Sequence, residues 1–112
     1  MPELPLTAPL FHVLVSLANE DRHGYAIIKD VEERTGGDVR LSTGTLYGII
    51  KRLLADGWIA EARTRRADDD ERRRYYRLTP TGRDAALAET ARLERAASQA
   101  RAALRSRRPQ TT

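Results

Sequence analysis

The chain has 112 residues, no cysteine, only two histidines and a formal net charge of +4. This length supports a single domain with a modest hydrophobic core, and the missing cysteines exclude disulfides and thiolate metal sites. No apolar run approaches the roughly 20 residues of a membrane span, and the first residues lack the features of a signal peptide. We therefore expect a cytoplasmic protein without a metal or cofactor.

The first forty residues predict two short helices. Thr7 caps the first helix, which extends to about residue 18. Its apolar stripe at helical spacing is Leu10, Val13, Leu14 and Leu17. After a polar break, His23 opens a second helix, and Gly36 and Gly37 end it because glycine adopts the left-handed cap conformation at low cost. The expected buried positions of this second helix are Tyr25 or Ala26, Ile27, Ile28 and Val31.

A third predicted helix, capped by Ser42 and ended by Gly57, has one apolar face and one face of unusual composition. The apolar face consists of Leu46, Ile49, Ile50, Leu53 and Leu54. The other face carries Thr43, Gly44, Tyr47, Gly48, Lys51 and Arg52. Glycine costs roughly 1 kcal/mol relative to alanine inside a helix, so we infer that a partner approaches this face closely.

Residues 58–78 predict two strands around a polar turn, a β-hairpin with a long mobile loop near residues 67–71. Its arginines are Arg63, Arg65, Arg66, Arg72, Arg73, Arg74 and Arg77. These side chains can offer planar donors to phosphate. Alternatively, these arginines and the acidic residues 68–71 pair with each other across a solvated hairpin, or the abundance of arginine reflects a GC-rich genome.

The last predicted helix has Thr79 or Thr81 as its cap and continues to about residue 105. Positions spaced by seven form a seam of mostly small residues, namely Ala86, Leu93 and Ala100 together with Thr90, Ala97 and Leu104. We expect this seam to form a homodimer, joined by Leu10 and Leu14 of the first helix. In the alternative interpretation, the helix packs only on its own chain.

Three helices, two strands and a long helix follow the winged helix-turn-helix plan, so the predicted fold is mainly α with a small β-hairpin. We assign residues 1–79 to a DNA-binding domain, residues 80–106 to a dimerisation helix and residues 107–112 to a disordered tail. Within this plan, four sequence strings resemble the PadR family of bacterial transcriptional regulators. They are HGYAIIK at 23–29, LSTGTLY at 41–47, GWI at 57–59 and YYRLTPTG at 75–82.

This resemblance implies a dimeric repressor whose third helix enters the major groove of a pseudo-palindromic operator and whose wings touch flanking DNA. It also implies that a small molecule or stress signal releases repression. Many relatives carry proline where Thr43 and Gly48 stand. The short C-terminal region resembles that of the short subgroup, in which a small-molecule effector would bind at the dimer interface.

The expected DNA-contacting residues lie in the third helix and the hairpin. Ser42, Thr43, Gly44 and Thr45 leave room for a phosphate at the positive end of the helix dipole. Tyr47 and Lys51 can contact phosphate or a base edge, and Arg52 phosphate. The hairpin candidates are Arg63, Arg65, Arg66, Arg72, Arg73 and Arg74, of which a subset near the tip is expected to bind. The alternatives are that Tyr47 packs against the second helix and that Lys51 is merely solvated.

An enzyme is the least favoured class, because the only carboxylate cluster is in a loop and no nucleophile has a base at a suggestive spacing. The alternative function is a winged-helix protein-interaction or adaptor module without specific DNA binding. Such a module would not need basic and hydroxyl groups on the third helix together with an arginine-rich hairpin. We also expect Trp58 to seal the core, with a stacked aromatic ligand as the alternative.

Overall fold

The computed structural model describes residues 5–63 and 74–105. Four helices and three strands occur within these ranges, which confirms the mainly helical class with a small antiparallel sheet. In chain order they are α1 Ala8–Ser16, β1 Arg22–His23, α2 Gly24–Arg34, α3 Thr43–Ala55, β2 Ile59–Ala62, β3 Tyr75–Leu78 and α4 Pro80–Arg105. None of the helices in the described ranges combines the length and hydrophobicity needed to cross a bilayer. Several expectations fall outside these ranges, namely the loop at 67–71, Arg65, Arg66, Arg72, Arg73 and the tail at 107–112.

Side chains cap the starts of the first three helices by accepting a hydrogen bond from a first-turn amide. The acceptors and donors are Thr7 Oγ1 with Leu10 N–H at 3.3 Å, His23 Nδ1 with Ala26 N–H at 3.2 Å, and Ser42 Oγ with Thr45 N–H at 3.1 Å. Gly57 follows α3 with a φ of 76°, a conformation that favours glycine. The predicted caps at Thr7 and Ser42 are therefore confirmed.

The hydrophobic core lies between α1, α2, α3, the sheet and the start of α4. Leu10 and Leu14 are 7% and 0% exposed and belong to this core. The expectation that they join a dimer contact is therefore corrected, because packing within their own chain already covers them. Trp58 is also buried there, as expected.

The structure decides between Tyr25 and Ala26 at the start of α2, and it places Leu54 outward where burial was expected. Tyr25 is 67% exposed, whereas the adjacent Ala26 is half-buried. Leu54 is exposed on the outside of α3. The inward positions of α2 are Gly24, Ile27 and Val31.

The sheet contains one strand that the sequence did not predict. Its order is β1-β3-β2, with both neighbours antiparallel to β3. Arg22 pairs with Tyr76 and His23 with Tyr75, so β1 extends the predicted hairpin by a third strand. This pairing links the entry to α2 directly to the hairpin.

The first turn of α4 is seated on the corner between α3 and β2. Thr79 donates its backbone N–H to the Trp58 carbonyl at 3.1 Å and its hydroxyl to the Gly57 carbonyl at 2.7 Å. Thr79 Oγ1 also accepts from Gly82 N–H at 3.0 Å, so Thr79 is the cap of the two candidates. A Cβ at Gly82 would collide with the Trp58 carbonyl oxygen, which explains the glycine at this position.

A buried carboxylate attaches α4 to the N-terminal segment. Glu89 is 2% exposed and accepts hydrogen bonds from Leu6 N–H at 3.2 Å and from Arg92 Nε and Nη2 at 2.9 and 2.6 Å. The Arg92 guanidinium holds the pKa of Glu89 below its usual value, the Leu6 amide adds to this effect, and burial opposes it. Beyond Arg92, the described residues of α4 are all exposed.

Candidate nucleic-acid interface

The outer face of α3 is open to solvent over its whole length. Its exposed residues, including the cap, are Ser42, Thr43, Gly44, Thr45, Tyr47, Gly48, Lys51 and Arg52. On the opposite side, Leu46, Ile50 and Leu53 are buried in the core. This burial fixes the rotation of the helix, so the polar face points away from the domain.

The glycines of the outer face have no structural requirement within the described part of the chain. At Gly44 and Gly48, no non-neighbouring atom lies within 4 Å of the position that a Cβ would occupy. Gly24 in α2 differs, since a Cβ there would come within 2.7 Å of the Tyr47 hydroxyl. The space beside Gly44 and Gly48 is thus available to a molecule outside the chain.

The start of α3 carries uncompensated positive potential. The Ser42 hydroxyl donates to Thr45 Oγ1 at 3.0 Å while accepting from the Thr45 amide. The first turn contains no acidic side chain. The partial positive charge of the helix dipole is therefore not cancelled by a carboxylate, which favours an anion such as phosphate.

Tyr47 both packs on α2 and remains accessible. Its hydroxyl lies beside Gly24, and the side chain is 48% exposed. The two interpretations of Tyr47 made from the sequence are thus compatible, because the hydroxyl end of the side chain lies against α2 while about half of the residue stays exposed. Together with Gly24, Tyr47 determines how closely α2 and α3 approach.

The basic groups of α3 differ in how far they are engaged within the chain. Lys51 has no ion-pair partner among the described residues, so its ammonium group is available. Arg52 Nε lies 3.8 Å from Asp56 Oδ2, one turn further on. Such an exposed i,i+4 pair is worth only about 0.3–0.5 kcal/mol, so phosphate can compete for the Arg52 guanidinium.

The hairpin presents at least two of the predicted arginines at its described ends. Arg63 is exposed directly after β2. Arg74 Nη1 contacts Glu61 Oε1 at 2.9 Å, and both side chains are largely exposed. This contact matches the alternative in which wing arginines pair within the hairpin. An exposed pair of this kind contributes about 0–1 kcal/mol and leaves Arg74 able to exchange its partner.

Burial shifts the pKa values of two groups, Tyr76 beside the site and His12 in α1. Burial raises the pKa of Tyr76, and the nearby Tyr47 and Glu61 add to this rise, whereas Arg74 opposes it. Burial lowers the pKa of His12, with a further contribution from the charge of Arg34. The Nδ1 atom of His12 is buried without a hydrogen-bond partner among the described residues. His12 therefore stays neutral to lower pH than a free imidazole.

Three packed helices, of which the third exposes a polar face, followed by a two-stranded wing, define a winged helix-turn-helix DNA-binding domain. Residues 13–88 match the profile of the family described as "Transcriptional regulator PadR-like family". The chain belongs to this PadR-like family, and it is a DNA-binding transcriptional regulator rather than an enzyme.

Individual relatives agree with this assignment. A transcriptional regulator of Mycobacterium tuberculosis is 37% identical over 92 residues, which are 82% of this chain and 80% of that protein. A PadR family regulator from Clostridium difficile superposes with a TM-score of 0.63 at 28% identity, covering 80% of this chain and 95% of that one. Bacillus subtilis PadR, solved in complex with operator DNA, has a TM-score of 0.62 at 22% identity over 73% of this chain and 47% of that chain. The B. subtilis likeness shows the fold alone.

Some features of the site were not anticipated from the sequence. The ion pair between buried Glu89 and half-buried Arg92 gave no signal, because charged residues at i,i+3 are common on exposed helices. The close contact of Gly82 with Trp58 is visible in the sequence only as the glycine that ends YYRLTPTG. Within the described residues, no three histidine, aspartate or glutamate side chains converge as metal ligands would.

Proposed function

We propose that the chain is a dimeric cytoplasmic repressor that binds a pseudo-palindromic operator with two copies of α3 and releases it in response to a small molecule or stress signal. The observation that carries the DNA-binding part is the outer face of α3. This face combines an uncompensated helix start, hydroxyl and basic groups, and two glycines that the described chain does not require. Each property favours close approach to a polyanion.

Within this proposal, successive residues of α3 contact different parts of the DNA. Ser42, Thr43, Gly44 and Thr45 bring the helix start against a phosphate, which fixes the register on DNA. Tyr47 and Lys51, one and two turns further along, reach a base edge or a neighbouring phosphate. Arg52 binds phosphate.

The wing supplies the flanking contacts in this proposal. Arg63 and Arg74 stand at its described ends, and Arg65, Arg66, Arg72 and Arg73 lie between them in the sequence. The chain shares its fold with B. subtilis PadR, which was solved in complex with operator DNA. Replacing Arg63 and Arg74 by alanine should flatten the salt dependence of DNA binding.

The dimer is proposed to form through α4. The exposed apolar side chains of this helix include Leu93 and Leu104, which a single chain leaves in water. Burying one leucine contributes roughly 1.5–3 kcal/mol. The proposed seam keeps Ala86, Thr90, Leu93, Ala97, Ala100 and Leu104, whereas Leu10 and Leu14 belong to the core. A small-molecule effector is proposed to bind between the two copies.

The DNA-binding proposal is tested by incubating the purified full chain with fragmented genomic DNA, sequencing what it retains, and measuring affinity for the selected site. Lys51→Ala and Tyr47→Ala should each weaken operator binding by about 1–3 kcal/mol if they touch bases. Glu33→Gln, at the far end of α2, is the matched control and should not weaken binding. Normal operator affinity in both test variants would refute the role of α3.

Two further measurements separate the parts of the proposal. Light scattering that shows a monomer at micromolar concentration would remove the dimer. Retention on heparin that is lost with added salt distinguishes DNA binding from a protein-binding adaptor, for which no salt-sensitive retention is expected.

A further inference from the structure

A row of aromatic rings connects the first turn of α2 to the wing. The Tyr25 ring is nearly parallel to the His23 ring, with centroids 6.5 Å apart and an interplanar angle of 13°. His23 in turn meets Tyr75 of β3 edge to face, with centroids 5.3 Å apart. Tyr25 thus forms the outer end of a row of three rings.

The middle ring of this row, His23, is held in place by its contacts with α2 and β3. His23 Nδ1 accepts the Ala26 amide as the cap of α2, and its backbone pairs with Tyr75 in the sheet. The imidazole is therefore fixed in orientation. It gives the Tyr25 ring a rigid neighbour to lie against.

Apart from its stacking on His23, no contact within the described residues accounts for a tyrosine at this exposed position. The side chain is 67% exposed, and its hydroxyl makes no hydrogen bond within the described residues. A large aromatic ring at a helix start that is neither buried nor hydrogen-bonded points to a partner outside the chain.

The position of Tyr25 places that partner beside the outer face of α3. Gly24 precedes Tyr25 and lies against the Tyr47 hydroxyl, while the aromatic row ends on β3 of the wing. The row therefore lies between the two elements proposed to hold DNA. Lys29, at i+4 from Tyr25, is exposed on the same side of α2, whose first turn has no acidic residue.

We propose that Tyr25 is a further DNA-contacting residue, whose hydroxyl donates a hydrogen bond to a backbone phosphate passing between α3 and the wing. His23 and Tyr75 act as positioning residues that hold the Tyr25 ring. The inference rests on the proposed DNA-binding function of α3. Phosphate is the favoured acceptor because the row lies beside α3, with Lys29 adding positive charge, so the contact positions the protein without selecting sequence.

Tyr25→Phe tests the hydroxyl alone, because the ring and its neighbour His23 are kept. We expect affinity to fall about tenfold, both for the operator and for unrelated DNA of equal length. The slope of affinity against salt should stay unchanged, since a neutral hydroxyl displaces no counterion. Ethylation interference on the operator should lose one phosphate per half-site in this variant. Glu33→Gln again serves as the control on the same helix.

Wild-type DNA affinity in Tyr25→Phe would overturn the inference. This holds even if Tyr25→Ala binds DNA more weakly, because the ring and not the hydroxyl would then make the contact. A loss confined to the operator would overturn it as well, because the contact would be to a base. Lys51→Ala is measured in parallel. If Lys51→Ala weakens binding and Tyr25→Phe does not, only this inference fails, whereas a wild-type chain that binds no DNA refutes the proposed function itself.

Discussion

Gly48 offers a test in which stability and DNA binding should change in opposite directions. It lies in the interior of α3 on the exposed face, with open space where a Cβ would stand. Gly48→Ala therefore creates no clash and removes the conformational cost of glycine in a helix, about 1 kcal/mol. In a domain of this size, that gain corresponds to roughly 4 °C in melting temperature. Thermal unfolding followed by circular dichroism, at one fixed protein concentration, measures it.

The same methyl group should weaken binding to the operator. It would project beside Gly44, Lys51 and Arg52, its neighbours at i−4, i+3 and i+4 on the face proposed to meet DNA, and so would hold the helix away from the groove. Loss of one or two short phosphate or base contacts costs about 1–3 kcal/mol, or roughly a five- to 150-fold fall in affinity. Fluorescence anisotropy with a labelled operator measures the change.

Gly57 supplies the matched control for this prediction. It also has open space for a Cβ, but its φ of 76° strains any residue with a side chain. Gly57→Ala should therefore lower stability by roughly 1–2 kcal/mol and leave operator affinity unchanged. Unaltered DNA binding in Gly48→Ala would refute the proposed close approach of DNA to α3. A loss of stability in Gly48→Ala would refute the open space for a Cβ at this position.

Three other predictions concern the attachment of α4 and the response to acid. Gly82→Ala should destabilise the fold by about 3 kcal/mol in urea unfolding, because its Cβ meets the Trp58 carbonyl rather than a movable side chain. Glu89→Gln should lower the urea midpoint, because it leaves the Arg92 guanidinium without its carboxylate partner; an unchanged midpoint would mean that the pair is dispensable. Stability should fall below pH 6.5, where the unfolded chain protonates His12 before the folded one does, and again below pH 4.5, where the unfolded chain protonates Glu89 before the folded one does. Urea unfolding across this pH range measures both falls in stability, and His12→Phe should remove the one that begins at pH 6.5.

The outer face of α3 could be predicted from the sequence because several local signals agree there. Ser42 marks the start, Gly57 marks the end, and the apolar residues recur at helical spacing. These signals together determine which side of the helix is buried. The polar and glycine-rich side then follows as the exposed one.

The orientation of residues near the ends of elements could not be predicted in the same way. At the start of α2, Tyr25 and Ala26 are adjacent, and periodicity alone does not decide which of them turns inward. The two residues of β1 are too few to show strand alternation, and this strand exists because β3 pairs with it. Both features depend on a neighbouring element that is distant in sequence.

The sequence likewise does not show which element packs against an apolar stripe. The spacing of Leu10 and Leu14 correctly predicted burial, but the stripe packs in its own core instead of against a second copy. Glu89 shows the converse case, since a charged residue on a polar helix is buried by contact with the N-terminal segment. The identity of the covering element is a tertiary property that local pattern does not contain.

The attachment of α4 connects stability with the proposed spacing of two DNA-binding helices. Gly82 seats the first turn of α4 on Trp58, Arg83 Nη2 bonds the Ala18 carbonyl at 2.7 Å, and Glu89 ties the third turn to Leu6. These contacts fix the direction in which the exposed part of α4 leaves the domain. If two copies join through that part, the direction of α4 sets the separation of their α3 helices, which must match one DNA turn of about 34 Å. Substitutions at Glu89 should therefore reduce operator affinity, although Glu89 lies neither on the proposed DNA-contacting face nor in the proposed dimer seam. The reason is that a dimer of altered geometry binds one half-site well and the other poorly.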